Sequence, residues 1–302
     1  MRSAALTAIL LLLCLPASSL LEASGQPEAG LTVYYTASLN GNLDGCACAS
    51  SPKAGLVRRA AFLRSLQDRE GALLVDLGDI LEAFPDKLLA VEILETYREL
   101  GYDAVALGDQ ELAYGGAALS EAARRLALLS NNLSFSPGTG ALSPQPLVIE
   151  REGLRIGVLS LLDPAVLQSL PEAKRQGLVL EAPAQAAGRL LEALRSERAD
   201  LTVLLYHGPY VNALALAGRV AGIDLLLVGH EQRLIAARRR GGTIVASPGE
   251  QGNYLGILKL SLRAGRVSGF KNRFRQFGPN DPEDPGVRRR IEAYRDRLRL
   301  KY

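Results

Sequence analysis

Two histidines, His207 and His230, are the only imidazoles in the 302 residues. Each follows an apolar run of strand length, residues 201–206 and 223–228. Between the runs lies a stretch of good helix formers, residues 210–220, as in a strand–helix–strand crossover of a buried parallel sheet. Two carboxylates hold similar positions: Asp79 follows the apolar run 73–77 and Gly78, and Asp109 follows 104–107 and Gly108. Gln232 stands two residues past His230. In an open α/β sheet, ligands collect just beyond the carboxyl ends of the strands. Two carboxylates, two imidazoles and an amide from separate strand tips form a ligand set for one or two divalent ions, Zn, Mn or Fe. The plain alternative is local, because an Asp after a Gly also caps helices and closes turns, and a single histidine is often structural. Placing the whole histidine inventory at equivalent strand ends favours a site.

The elements needed to position these residues follow along the chain. Residues 31–36 read as a first strand, ending in a polar loop that contains Ser38, Asn40, Cys46 and Cys48. A helix is expected over 55–69, a strand over 73–77, a helix over 87–100, a strand over 104–107, a helix over 117–126 and a short strand over 127–130. Residues 147–150 and 155–161 flank Glu152-Gly153 as a hairpin, and 183–197 is helical. Strands over 243–246, 254–262 and 267–277 and a basic amphipathic helix over 287–300 complete the chain. The fold class is α/β (α+β), with two packed mixed sheets and helices outside.

The first 25 residues read as a secretory signal peptide. Arg2 precedes an apolar run over 4–15 that is too short to span a bilayer, and small residues near 17–25 offer cleavage points. Leu13 stands before Cys14, where a lipoprotein acceptor has a small residue, so lipidation is not expected. Residues 26–302 read as a single domain, placed in the periplasm or outside the cell, with no membrane span once the signal is removed. The net charge is +3 and there is no tryptophan, which gives no sign of nucleic-acid binding. The arginines at 238–240 and in the last helix read as solvated faces. Cys46 and Cys48 remain as a pair in an exported chain, where cysteines usually pair. With one residue between them, a bridge would be strained and easily reduced.

The order G-D, G-D-Q-E, N-N, H-G and G-H-E-Q, followed by Ser247-Pro248-Gly249 and Tyr254-Leu255-Gly256, resembles the metallophosphatase domain of bacterial periplasmic 5′-nucleotidases and UDP-sugar hydrolases, within the calcineurin-like metallophosphoesterases. The likeness runs from about residue 31 to 277. It implies a four-layer α/β-β/α sandwich with two metals. Asp79 matches the bridging carboxylate, and Asp109 stands where the family has the Asn of G-N-H-E. His207 and His230 match the histidines of the second metal, and Gln232 matches a ligand of the first. Asn131 and Asn132 match a pair near the site. The implied partner is a small phosphate ester or a nucleotide.

The departures are as specific. Ser38-Leu39-Asn40 aligns with the family's D-x-H, so weak ligands replace two of the first metal's. Gln110 replaces the histidine that stabilises the leaving group, and Ala113 replaces the Asp that orients it. A Gln has no accessible pKa and cannot serve as a general acid. The family's C-terminal nucleotide-binding domain has no counterpart here. The loop with Cys46 and Cys48, followed by Gly55-Leu56-Val57-Arg58-Arg59, resembles a side branch with a cysteine- or selenocysteine-containing loop. Three readings of the cysteines stay open: soft-metal ligands, a redox-active dithiol with an envelope redox partner, or a structural or inert pair. Three functions follow. They are a divergent metal-dependent phosphoesterase, an envelope thiol or metal redox protein on the same fold, and a non-catalytic binding protein.

Overall fold

The computed structural model describes residues 29–46, 54–135, 142–249, 252–263 and 265–300. The expected signal peptide, Cys14 and Cys48 lie outside the described residues. The strands are β1 (Ala29–Thr36), β2 (Leu73–Asp76), β3 (Ala104–Ala106), β4 (Leu128–Leu129), β5 (Leu133–Phe135), β6 (Leu147–Arg151), β7 (Leu154–Leu162), β8 (Leu178–Leu180), β9 (Leu201–Gly208), β10 (Leu225–His230), β11 (Leu234–Arg240), β12 (Thr243–Pro248), β13 (Tyr254–Arg263) and β14 (Arg266–Gln276). The helices are α1 (Gly55–Ser65), α2 (Lys87–Leu100), α3 (Asp109–Leu112), α4 (Gly116–Arg125), α5 (Glu172–Arg175), α6 (Pro183–Ser196), α7 (Tyr210–Arg219) and α8 (Pro285–Arg299), with a 3-10 turn at Pro164–Ser169. None is long and apolar enough to cross a membrane.

The strands form two six-stranded sheets, ordered β14-β13-β1-β2-β3-β4 and β11-β12-β10-β9-β7-β6. Each sheet has parallel strands in the middle and an antiparallel hairpin at one edge, β13–β14 or β11–β12, with β6 antiparallel at the far edge of the second. A separate β5–β8 pair makes a small third sheet.

The two sheets face each other. Alternate residues Leu31, Val33 and Tyr35 of β1 meet Val203 and Leu205 of β9 and Leu225 and Leu227 of β10 in one dry core. The other face of the first sheet packs under α1, α2, α4 and α8. The other face of the second packs under α6 and α7. This is the four-layer arrangement of two mixed sheets with helices outside.

Helix α6 shows how sequence sets a layer. Pro183 starts it without losing a needed N–H, and Ala186, Ala187, Leu190, Leu191 and Leu194 make one stripe, buried on the sheet. Each buried Leu contributes about 1.5–3 kcal/mol, and truncating Leu190 to Ala would cost about 2–5 kcal/mol. In α2, the Asp86 carboxylate caps the start by accepting from Leu88 N and Leu89 N, and Gly101 at φ 67° closes the end in a left-handed turn.

Helix α8 departs from the solvated face expected of it. Arg290 and Arg297 pair with Glu92 of α2, Arg290 also pairs with Glu99, and Arg288 and Arg295 pair with Asp44 in the loop after β1. The acidic face of α2 and the Asp44 carboxylate draw these arginines inward. Helix α1 ends at Ser65, short of the expected 69, because Gln67–Glu70 turns toward β2.

Candidate metal centre

The cluster forms where four parallel strands from two different sheets end. Asp79 follows the end of β2 by three residues, and Asp109, at the same offset from β3, opens α3. His207 is the penultimate residue of β9, and His230 ends β10. One ligand atom from each of these four lies within 4.8 Å of all the others. His207 Nε2 is 3.2 Å from Asp109 Oδ1 and 3.4 Å from Asp79 Oδ2. His230 Nδ1 is 3.1 Å from Asp109 Oδ1 and 3.9 Å from Asp79 Oδ2. The sheets must come very close for this, and glycine permits it. A Cβ on Gly78, at φ 90°, would stand 2.7 Å from Gly108 N and 2.9 Å from His207 Nδ1.

The ring of His207 is fully buried and its orientation is fixed. Its Nδ1 lies 2.6 Å from the Leu77 carbonyl oxygen, which can only accept, so the proton sits on Nδ1. In the neutral ring, Nε2 then carries its lone pair into the cluster. Burial disfavours charge on His207, but the Asp79 and Asp109 carboxylates outweigh it and hold the imidazole well above its ordinary pKa. Burial pushes Asp109 the other way, and the two histidines override it to leave this carboxyl strongly acidic. Two carboxylates and two imidazoles fit a Zn, Mn or Fe ion, and their mutual spacing is that of a shared ligand.

Several supporting groups lie outside the four-residue cluster. The buried Glu111 carboxylate accepts from Asp79 N at 3.0 Å, Gly108 N at 2.8 Å and Leu81 N at 2.9 Å, tying the two Gly-Asp turns together. Burial and the nearby Asp79 push its pKa up to about 7. Ser169, on the 3-10 turn, donates to Asp109 Oδ2 at 2.7 Å. Beneath the β2 turn, Asp76 Oδ1 accepts from Gly78 N at 3.0 Å. Its Oδ2 accepts from Thr36 at 2.6 Å and Tyr97 at 3.0 Å, and the fully buried Arg59 donates to Tyr97 at 2.5 Å. Ser247 pins the turn after Gln232 by donating to Arg233 O at 2.6 Å. Only tertiary packing brings these groups together. The signal within reach of sequence was the Glu of G-D-Q-E.

The other predicted positions differ in character. Ser38 and Asn40 reach the same rim: Ser38 N donates to Gly78 O at 2.9 Å, and Asn40 N to Asp79 O at 2.8 Å. Gln110 donates from its side chain to Asn40 Oδ1 at 2.8 Å. Gln110 Oε1 and Ser38 Oγ are buried without a partner. Ala113 closes α3 and is buried in the helical core. Gln232 follows His230 by two residues, and both take positive φ, 57° and 80°. Ser38, Asn40 and Asp79 do the same, so among the described residues five of the seven non-glycine positions with positive φ border this rim.

Asn131 and Asn132 brace the sheets. Asn131 donates to Ser143 O and Gln145 O and accepts from Ser160 N, while Asn132 donates to Leu162 O and Glu181 O and accepts from Leu162 N. Both amides spend their N–H groups on backbone. Cys46 is disulfide-bonded. In the disulfide it carries no free thiolate.

Two mixed sheets flanked by helices, with an Asp/His cluster at their shared rim, are the metallophosphatase fold of 5′-nucleotidases and calcineurin-like phosphoesterases. No protein-family model matches the chain. It is 22% identical, over 80% of its length, to the trifunctional nucleotide phosphoesterase protein YfkN of Bacillus subtilis, and spans 20% of that protein. It is 25% identical, over 78% of its length, to a 5′-nucleotidase of Diplobatis ommata, and spans 47% of that one. Its fold matches the 5′-nucleotidase precursor from Thermus thermophilus with a TM-score of 0.78, at 20% identity, over 90% of this chain and 59% of that one.

Proposed function

We propose that this protein is an exported metal-dependent phosphoesterase that acts on a nucleotide or a related phosphate ester and has one complete metal position. The four-residue cluster at the strand tips carries this reading. Asp79, Asp109, His207 and His230 would hold the ion, with Gln232 beside them. Bound there, a divalent ion lowers the pKa of a coordinated water and offsets charge on a phosphoryl group. His207 is already held in the tautomer that presents Nε2. Glu111 fixes the turns that carry both carboxylates.

The first-metal side is neutral. Ser38, Asn40 and Gln110 supply hydroxyl and amide groups, which hydrogen-bond phosphoryl oxygens but hold a second ion weakly. No group at Gln110 can protonate a departing alkoxide. Substrates with acidic leaving groups, such as aryl phosphates and phosphoanhydrides, are therefore favoured over alkyl monoesters.

The test is hydrolysis of p-nitrophenyl phosphate and of nucleoside mono- and diphosphates with Mn, Zn or Fe, in the wild type and in Asp79→Ala. Turnover that vanishes in the variant supports the reading. Wild-type rates no higher than those of the variant with all three metals reject it.

The disulfide at Cys46 favours a second reading, a redox function for the loop after β1. Unchanged phosphoesterase kinetics under reducing and oxidising conditions would separate the two.

A further inference from the structure

The end of the sandwich opposite the cluster carries a different charge pattern. Two hairpin tips lie there. In β11–β12, Arg240 pairs with Thr243, at the start of a strand parallel to β10. In β13–β14, Arg263 pairs with Arg266. Ala29, at the start of β1, pairs with Leu262, which places this tip at the beginning of the parallel strands. The cluster lies at their carboxyl ends, so the two faces stand a strand length apart, roughly 25 Å.

Arg219, Arg240 and Arg266 line one cleft of 1010 Å³ between these tips and the end of α7, and Asp224 is the only acidic residue in its wall. That carboxylate already accepts from Thr202 N at 2.8 Å. Arg238 and Arg239 flank the cleft, with Arg239 held over the Phe270 ring and donating to Val267 O. All five arginines are exposed. Among the described residues, Arg219, Arg238, Arg240 and Arg266 have no carboxylate within ion-pair distance.

The contrast with α8 is informative, because there the same residue type is consumed by Glu92, Glu99 and Asp44. The described chain also enters the fold at this end, at Ala29.

We propose that this arginine face docks on a bilayer rich in anionic phospholipid, with the headgroup phosphates against Arg219, Arg240 and Arg266 and the metal cluster facing away from the membrane. Guanidinium pairs with phosphate in two parallel hydrogen bonds, and the cleft admits headgroups between the hairpin tips. Each arginine brought to an anionic surface raises affinity about fivefold, so removing two should lower it at least about 25-fold, with strong dependence on salt.

The experiment is co-sedimentation of the mature chain, residues 26–302, with vesicles of equal parts phosphatidylglycerol and phosphatidylcholine, and with phosphatidylcholine vesicles. Wild type is compared with Arg240→Glu/Arg266→Glu and with Lys174→Glu/Arg175→Glu. The last makes the same charge change on α5, at the cluster end. The expected result is binding to the anionic vesicles alone, lost at least about 25-fold in Arg240→Glu/Arg266→Glu and kept in Lys174→Glu/Arg175→Glu. The milder Arg240→Gln/Arg266→Gln and a thermal melt guard against a folding defect. Equal binding to both vesicle types, equal loss in both charge-reversed variants, or equally strong binding to a short DNA duplex would overturn the proposal.

Discussion

The rim where the two sheets meet has two sides with opposite chemistry. On one, the tips of β2, β3, β9 and β10 deliver two carboxylates and two imidazoles to a common point, backed by Glu111 and Ser169. On the other, the loop after β1 brings Ser38 and Asn40, met by Gln110 from α3. Both sides share the same backbone device, positive φ at Ser38, Asn40, Asp79, His230 and Gln232. We propose that the backbone supports a two-sided site whose side chains equip one side to hold a cation and leave the other neutral. Position in a fold and chemistry at that position are separable, and only the chemistry sets how many ions are held.

The largest effect should come from breaking the charged side. Asp79→Ala is expected to weaken metal retention by more than about 100-fold and to remove phosphoesterase turnover, measured by metal analysis and a p-nitrophenyl phosphate assay. Next comes a change that makes the neutral side competent. Gln110→His should raise the rate on alkyl monoesters by about 100-fold while changing aryl phosphates much less, read from kcat on a leaving-group series.

Smaller again is the pH dependence. The carboxylates hold His207 protonated well above its usual pKa in the metal-free protein, so an entering ion must displace that proton. Apparent metal affinity should fall about tenfold for each pH unit of acidification below the raised pKa, as titrated by calorimetry. The sign reverses for the stability of the metal-free fold. His207 contributes fully below the imidazole's ordinary pKa near 6.5, and the contribution is lost as pH rises through the raised value. Metal-free protein should thus melt progressively lower above neutral pH, and loading with metal should remove the decline. Last, Gly78→Ala should cost about 1–3 kcal/mol in urea unfolding, because its φ of 90° and contact with His207 leave no room for a methyl group.

Much of the scaffold was legible from periodicity. The β9–α7–β10 crossover, the β6–β7 hairpin and α2 follow from apolar runs and turn residues that mean the same thing in any context. Strand β11 was not legible, since Leu234–Arg240 is exposed and ends in three arginines, a pattern that reads as a solvated run. The β5–β8 pair is three residues per strand and depends on a partner more than forty residues away. Within the site, the four charged residues announced themselves by following strands. Ser169 and the Arg59–Tyr97–Asp76 chain did not, because buried polar groups acquire a role only from the neighbours that satisfy them. The ion pairs of α8 escaped for the same reason: sequence shows the arginines but not the acidic face of α2 opposite them.

The most direct test counts divalent ions per chain, by elemental mass spectrometry after reconstitution with Zn or Mn and removal of free metal, for the wild type beside Ser38→Asp/Asn40→His. One complete position predicts about one ion in the wild type and about two in the variant. Two ions in the wild type, or none, would contradict it.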